Sequence, residues 1–205
     1  MNGSQVTVVA ITIGSREHKG LVNFRRRVAG LTTKTTSGGP TSLKKALTWY
    51  YGEEGPVYFK NASAGYYKGM DDIRTALPGI FQEVLSVPGL IFQINTLGGA
   101  ISDNVEGAYP HRAFSYLGES QAYWESPSRA PVLQEAARRM HDHIAQAGVT
   151  RHYANYPDLA FKDWPTAYYG AENYARLQRL KQRYDPENCI RHPQSVQLPH
   201  TTSTS

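Results

Sequence analysis

The sequence predicts an α+β fold in which a large antiparallel sheet carries helices on one face and leaves the other open for a ligand or a dimer partner. Three observations predict it. Strand-like and helix-like stretches alternate along the 205 residues. The strand candidates mix polar with apolar residues, whereas a parallel sheet buried on both faces reads as continuous apolar runs. The helix candidates carry single apolar stripes, which suits packing against one side of a sheet. The length fits one domain with a sizeable core, expected over residues 1–196. The polar tail at 197–205, ending Thr201-Thr202-Ser203-Thr204-Ser205, is expected to be disordered.

Taken in order, residues 6–13 are apolar and β-branched almost throughout and predict a buried strand, ended by Gly14-Ser15, where Ser15 can cap a helix over 15–29. Residues 31–42, rich in Thr, Ser and Gly with Pro40, predict a loop. In Leu43–Tyr51 the residues Leu43, Leu47 and Tyr50 share one helical face. The stretch from Val57 to Tyr67 is expected to be extended. Asp71 or Asp72 can cap a helix reaching Leu85, with Pro78 expected to break or kink it. Leu90–Thr96 predicts a strand with Gln93 and Asn95 on one face and Phe92 and Ile94 on the other. Gly98-Gly99 marks a bend, and residues 113–124 contain a further strand. Residues 131–147 predict a helix with the stripe Leu133, Ala136, Ala137, Met140 and Ile144, and Ala171–Tyr184 a last helix stopped by Asp185-Pro186.

The bulk composition narrows the function. Hydrophobic residues at 40% and charged residues at 19% are ordinary for a globular protein. No apolar run approaches the ~20 residues that span a bilayer, and Met1-Asn2-Gly3-Ser4 lacks a basic leader, so a cytoplasmic protein without membrane contact is expected. A single cysteine, Cys189, excludes an internal disulfide and a zinc site built from several thiolates. His141 and His143 stand two apart on a helix and cannot share a metal ligand face, so no metal is expected. The net charge of +5 comes without any nucleic-acid-binding motif, so no nucleic acid is expected either.

The motifs lie mostly toward the C-terminus. Tyr153-Ala154-Asn155-Tyr156-Pro157-Asp158-Leu159 is followed by Tyr169-Gly170-Ala171-Glu172-Asn173-Tyr174, then Tyr184-Asp185-Pro186-Glu187-Asn188 and Arg191-His192-Pro193-Gln194-Ser195. Upstream stand Gly98-Gly99-Ala100-Ile101-Ser102-Asp103 and Tyr109-Pro110-His111-Arg112. In order and spacing these strings resemble the substrate-binding domain and C-terminal signature of berberine-bridge-enzyme-like FAD-linked oxidases, and the resemblance runs over roughly residues 6–196. It implies an α+β domain whose free sheet face closes over a flavin ring, with the substrate between the two. The family's flavin-binding domain is expected to be missing, because the chain offers no glycine-rich phosphate turn between a strand and a helix.

The resemblance also implies site residues. Tyr153 matches a position used as catalytic base, and a phenol needs a cationic or hydrogen-bonding neighbour for that work; the alternative is a tyrosine satisfied at a sheet edge. Asp103 matches an acidic general-base position, against the alternative of a carboxylate that stabilises the turn after Gly98-Gly99. Gln93, Asn95, Tyr116, Asn155 and Tyr156 are candidates for substrate binding. His111 and Arg112 either present a cation to an anionic or enolate group or satisfy loop carbonyls. Tyr169, Asn173, Asp185 and Asn188 read as structural. Together these imply a cofactor-independent enzyme that cyclises, isomerises or dehydrates a polyketide- or alkaloid-like intermediate. The alternatives are the substrate-binding subunit of a split FAD-dependent oxidase, docked on a flavoprotein partner, and a non-catalytic ligand-binding domain. An apolar open face favours closure by a second copy, so a homodimer is expected.

Overall fold

The computed structural model describes residues 4–10, 18–36, 38–39, 41–51, 56–103, 107–159 and 161–199. Packing separates two compact units, residues 6–56 and residues 1–5 with 57–205.

In the first unit, helix α1 (Lys19–Val28) runs into a single 3-10 turn and helix α2 (Leu43–Tyr51) follows a loop. The Ser42 hydroxyl accepts the Lys45 amide at 3.3 Å, which starts α2 at the expected place. The strand expected over 6–13 is corrected: residues 6–10 are irregular and exposed, with Val6 at 72% and Val8 at 65%, and 11–13 lie outside the described residues. A strand needs a neighbour for its backbone groups, and this unit holds only helices among its described elements.

The second unit is built on strands β1 (Tyr58–Tyr67), β2 (Leu90–Thr96) and β3 (Tyr116–Trp124), paired antiparallel in the order β1-β3-β2. Residues opposite one another on a ladder point to the same side. Tyr67, Leu90, Phe92, Ala122 and Trp124 therefore face helices α3 (Met70–Ser86) and α5 (Ala130–Gln146), whose Ile73, Ile80, Val84, Leu133, Met140 and Ile144 complete one buried core. Gly118 lies under two rings of this core; a Cβ there would come 2.6 Å from Tyr67 and 3.0 Å from Phe92. The fold class expected from the sequence is the one observed, with three strands described.

Helix α3 begins where Asp72 accepts the amides of Lys68 at 2.8 Å and Gly69 at 3.3 Å. It then runs unbroken through Pro78, against expectation. Pro78 and Arg74, whose carbonyl loses its usual partner, are both exposed, so water can serve that carbonyl. Across the helix pair, the buried Glu83 receives both arms of Arg139 at 2.9 and 2.8 Å.

After α5 the chain returns to the sheet. Residues 151–153 lie along the outer edge of β1, with the Tyr66 amide donating to Arg151 O and the Tyr153 amide to Ala64 O, both at 2.8 Å. Helices α6 (Trp164–Tyr169) and α7 (Ala171–Tyr184) follow. The last helix is stopped as expected, with Asp185 accepting the amides of Cys189 at 2.7 Å and Ile190 at 3.0 Å. Of the residues expected as a polar tail, Gln197 is tied to α7, its amide donating to the Tyr174 hydroxyl at 3.1 Å; residues 200–205 lie outside the described residues. Among the described residues no helix is long and apolar enough to cross a membrane.

Gly79 brings α3 and α5 together, since a Cβ there would sit 2.4 Å from the His143 ring. Gly79→Ala is expected to lower stability by about 1–3 kcal/mol in urea unfolding, despite alanine's better helix propensity. A further His143→Ala should recover most of the loss.

Candidate functional site

Alternation along β3 sends Leu117, Glu119, Gln121 and Tyr123 to the face turned away from α3 and α5. On β2 the residues that share this face are Ile91, Gln93 and Asn95, and on β1 they are Phe59, Asn61, Ala64 and Tyr66. The polar members form one hydrogen-bonded chain. Gln93 Nε2 donates to Asn95 Oδ1 at 3.0 Å, and Asn95 Nδ2 to Glu119 Oε1 at 2.7 Å. From the other side Gln121 Nε2 donates to Glu119 Oε2 at 2.9 Å and Tyr123 Oη to Gln121 Oε1 at 3.2 Å. Glu119 is 5% exposed, and burial pushes its carboxyl pKa up; the bonds from Gln121 and Asn95 oppose that rise only in part.

The pairing of residues 151–153 with β1 extends this face by one strand. His152 bridges Gly65, so Tyr153 lies beside Ala64 and one row crosses the sheet as Gln93, Glu119, Ala64, Tyr153. The carboxyl and the phenol flank the small Ala64 from strands two apart, roughly 10 Å at the backbone. Tyr153 Oη accepts the Asn155 amide at 2.8 Å, which leaves its own hydrogen to donate. Its ring meets Tyr66 edge-on at 6.3 Å and Tyr156 at 5.3 Å. Tyr66 in turn accepts the Tyr109 hydroxyl at 2.7 Å, and burial raises the pKa of both phenols. Beneath the segment, on the helix side, His152 is buried against Phe161 and His141, and burial, with His141 adding to it, holds its pKa down to about 4.

Of the residues expected from the sequence, Gln93, Asn95 and Tyr153 share this face, with Asn155 bonded to Tyr153 and Tyr156 packed on it. Tyr116 is corrected. It pairs with Tyr67 and packs on the helix-side core, because even-numbered residues of β3 point toward the helices. His111 is 3% exposed, stacks on Tyr66 at 4.3 Å and bonds the Tyr168 carbonyl at 2.9 Å; burial, the largest influence, lowers its pKa, so at neutral pH it presents no cation. Arg112 donates to Ile101 O at 2.9 Å, the loop-carbonyl arrangement, and lines a cleft of about 270 Å³ with Ser102 and Phe114. Asp103 is exposed at the end of the one-turn helix α4 (Ala100–Asp103), where its carboxylate takes the Ser102 hydroxyl at 3.3 Å. Sequence reasoning missed Glu119, Gln121 and Tyr123, although their spacing of two along β3 was a readable signal.

An open antiparallel sheet backed by two helices, with a polar and aromatic free face and a C-terminal segment along its edge, defines an α+β domain of a particular kind. Residues 152–197 match the family model described as "Berberine and berberine like". The chain is 37% identical over 101 residues to an uncharacterized FAD-linked oxidoreductase, YvdP, of Bacillus subtilis, a match covering 48% of this chain and 22% of that protein. It is 36% identical over 94 residues to the chitooligosaccharide oxidase of Gibberella zeae, covering 43% of this chain and 19% of the oxidase. Among solved structures, a flavoenzyme of caerulomycin biosynthesis, CrmK, superposes with a TM-score of 0.64 at 25% identity over 71% of this chain and 34% of its own. Berberine bridge enzyme from Eschscholzia californica shares the fold, with a TM-score of 0.62 at 20% identity over 76% of this chain and 36% of the enzyme. The chain is thus similar to proteins of the berberine-bridge-enzyme-like family, and it spans about a fifth of these curated relatives and about a third of these solved chains.

Relatives named for FAD make a flavin the group to test against this fold. The described residues do not fit the holding of a dinucleotide. The one glycine pair between a strand and a helix, Gly98-Gly99, leads into a single helical turn, and a Cβ at either position would meet nothing within 4 Å, so no close backbone cradle is formed there.

Because burial raises the pKa of Glu119, the folded chain holds a proton that the unfolded chain releases. The stability this contributes is present at low pH and is lost as pH rises through the folded value, above the ordinary glutamate range. Melting temperatures of wild type and Glu119→Gln compared from about pH 4 to about pH 8 should show the wild type losing ground steadily to the variant as pH rises.

Proposed function

We propose that the chain forms the substrate-contacting part of an FAD-linked oxidoreductase, with a neutral, hydroxyl-bearing small molecule lying on the free sheet face. One observation carries this reading. The hydrogen-bonded chain Gln93, Asn95, Glu119, Gln121 and Tyr123 lies on the face opposite the core, and the Glu119 carboxyl and Tyr153 phenol flank Ala64. Amides, a carboxyl and phenols supply donors and acceptors for hydroxyl groups, and the half-buried rings of Tyr153 and Tyr156, backed by the buried Tyr66, supply an apolar wall. A carboxyl whose pKa burial has raised is suited to taking a proton from a substrate hydroxyl near neutral pH. The names of the relatives support the oxidoreductase class, and the name chitooligosaccharide oxidase supports a carbohydrate ligand. Closure of the face by a flavin-bearing partner or by a second copy of this chain belongs to the same proposal.

A second reading is favoured by the same carboxyl. Glu119 and Tyr153 are acid-base groups of this chain alone, so a cofactor-independent cyclisation, isomerisation or dehydration of a polyketide- or alkaloid-like molecule could run on them without a flavin.

Calorimetric titration of the protein with a chitooligosaccharide and with (S)-reticuline, the molecule bound in a solved variant of berberine bridge enzyme, in the absence of FAD, tests the face. At least one should bind, and Tyr153→Phe and Glu119→Ala should each weaken binding about fivefold to tenfold, the loss of one or two hydrogen bonds. Failure of both ligands, or binding indifferent to both substitutions, would remove the face as the site. A visible flavin band that stays with the purified protein through gel filtration would overturn the substrate-side reading. Conversion of either ligand without added flavin would decide for the second.

A further inference from the structure

Two of the sequence strings, the one beginning at Tyr153 and the one ending at Gln194-Ser195, are about forty residues apart in sequence and meet in the fold. Gln194 is 7% exposed. Its Nε2 donates to the Asp158 carbonyl at 2.7 Å and the Phe161 carbonyl at 3.3 Å, and its side chain also lies against the Tyr168 hydroxyl. That hydroxyl accepts the Asp158 amide at 3.1 Å. The Asp158 carboxylate takes Lys60 Nζ of β1 at 2.8 Å, in a pair mostly removed from solvent on the aspartate side. The loop that follows Tyr153 is thus fastened to β1 through Lys60, to α6 through Tyr168 and to the C-terminal loop through Gln194. The C-terminal loop is shaped to deliver that amide, with Ser195 Oγ accepting the His192 amide at 3.2 Å and donating to its carbonyl at 2.9 Å.

We propose that Gln194 is a positioning residue for the proposed ligand face. By holding the backbone at Asp158 and Phe161 it fixes the turn that sets Tyr153 beside Ala64 and keeps Asn155 on the Tyr153 hydroxyl. The proposal rests on the reading of that face as the ligand site. Gln194 touches neither Tyr153 nor the face; it acts through the loop. A side chain with two donor hydrogens spanning two carbonyls cannot be replaced by an apolar one of equal length without losing the bond to each, although the Asp158 carbonyl keeps the Phe161 amide at 2.9 Å.

Two measurements on Gln194→Met test this. In hydrogen exchange, the Tyr153 amide, bonded to Ala64 O, should exchange about tenfold faster than in wild type while amides of α5 keep their protection, since one lost hydrogen bond loosens the loop by about a factor of ten. In titrations with the chitooligosaccharide or (S)-reticuline, whichever binds, Gln194→Met should weaken binding about tenfold alone and add little in the Tyr153→Phe background, because both act through one group. Unchanged exchange at Tyr153, or equal weakening by Gln194→Met in both backgrounds, would overturn the positioning role. If Tyr153→Phe leaves binding intact while exchange at its amide still rises, the ligand reading fails and the mechanical link stands. Lys60→Met, which removes the opposite fastening, should quicken the same amide and guards against a misfolded Gln194 variant.

Discussion

The two-residue period of the central strand is the constraint on which the unit of residues 57–205 depends. β3 is paired on both edges, so each of its side chains is committed to one of two faces with no freedom of register. Its even-numbered members, Tyr116, Gly118, Ser120, Ala122 and Trp124, are small in the middle, where the Tyr67 and Phe92 rings must pass, and large at both ends. Its odd-numbered members carry the whole middle of the polar face. A slip of one residue would bury Glu119 and Gln121 among Ile80, Met140 and Ile144 and turn Trp124 out, so the core and the candidate site are specified by the same register.

Two buried carboxylates show how one fold gives the same side chain different work. Glu83 meets a guanidinium through two short parallel bonds and ties one helix to another. Glu119 meets only amides, which stabilise an ionised carboxyl less than a cation does, and burial raises its pKa. The first arrangement suits cohesion; the second leaves a group whose proton can be exchanged. The C-terminal segment adds the phenol to the second arrangement by laying residues 151–153 against β1, at the cost of a longer loop that needs several anchors.

Much of the architecture was legible. The stripe from Leu133 to Ile144, the strand Leu90–Thr96 with Gln93 and Asn95 on one side, and the last helix Ala171–Tyr184 follow from local periodicity and stop signals, and they stand where those signals put them. Residues 6–10 misled because an apolar β-branched run reports only a preference for extension; whether a strand forms is decided by a partner that no local pattern encodes. Pro78 misled in the opposite sense, because a helix whose inner face is packed tolerates one lost bond on its wet side. Among the candidate site residues, Tyr153 and Asn155 came from the C-terminal motif. Tyr116 was assigned without parity and lies on the wrong side, and the same test applied to β3 would have picked out Glu119. The anchoring of Asp158 by Gln194 joins segments distant in sequence, and nothing local at either one announces the other.

The chain of side chains on the free face has a property that none of its members has alone. Every link between Gln93 and Tyr123 except the carboxyl is an amide or a hydroxyl, and each of these can donate or accept. With Glu119 ionised, both arms point their hydrogens inward at it. When Glu119 takes up a proton, one arm must offer an oxygen instead; a half-turn of the Gln121 amide does this and reverses the bond to Tyr123, which then becomes an acceptor. A single proton near the middle of the sheet thereby changes the polarity displayed at its rim, so the surface can be complementary to a donor in one state and to an acceptor in the other without any movement of the backbone.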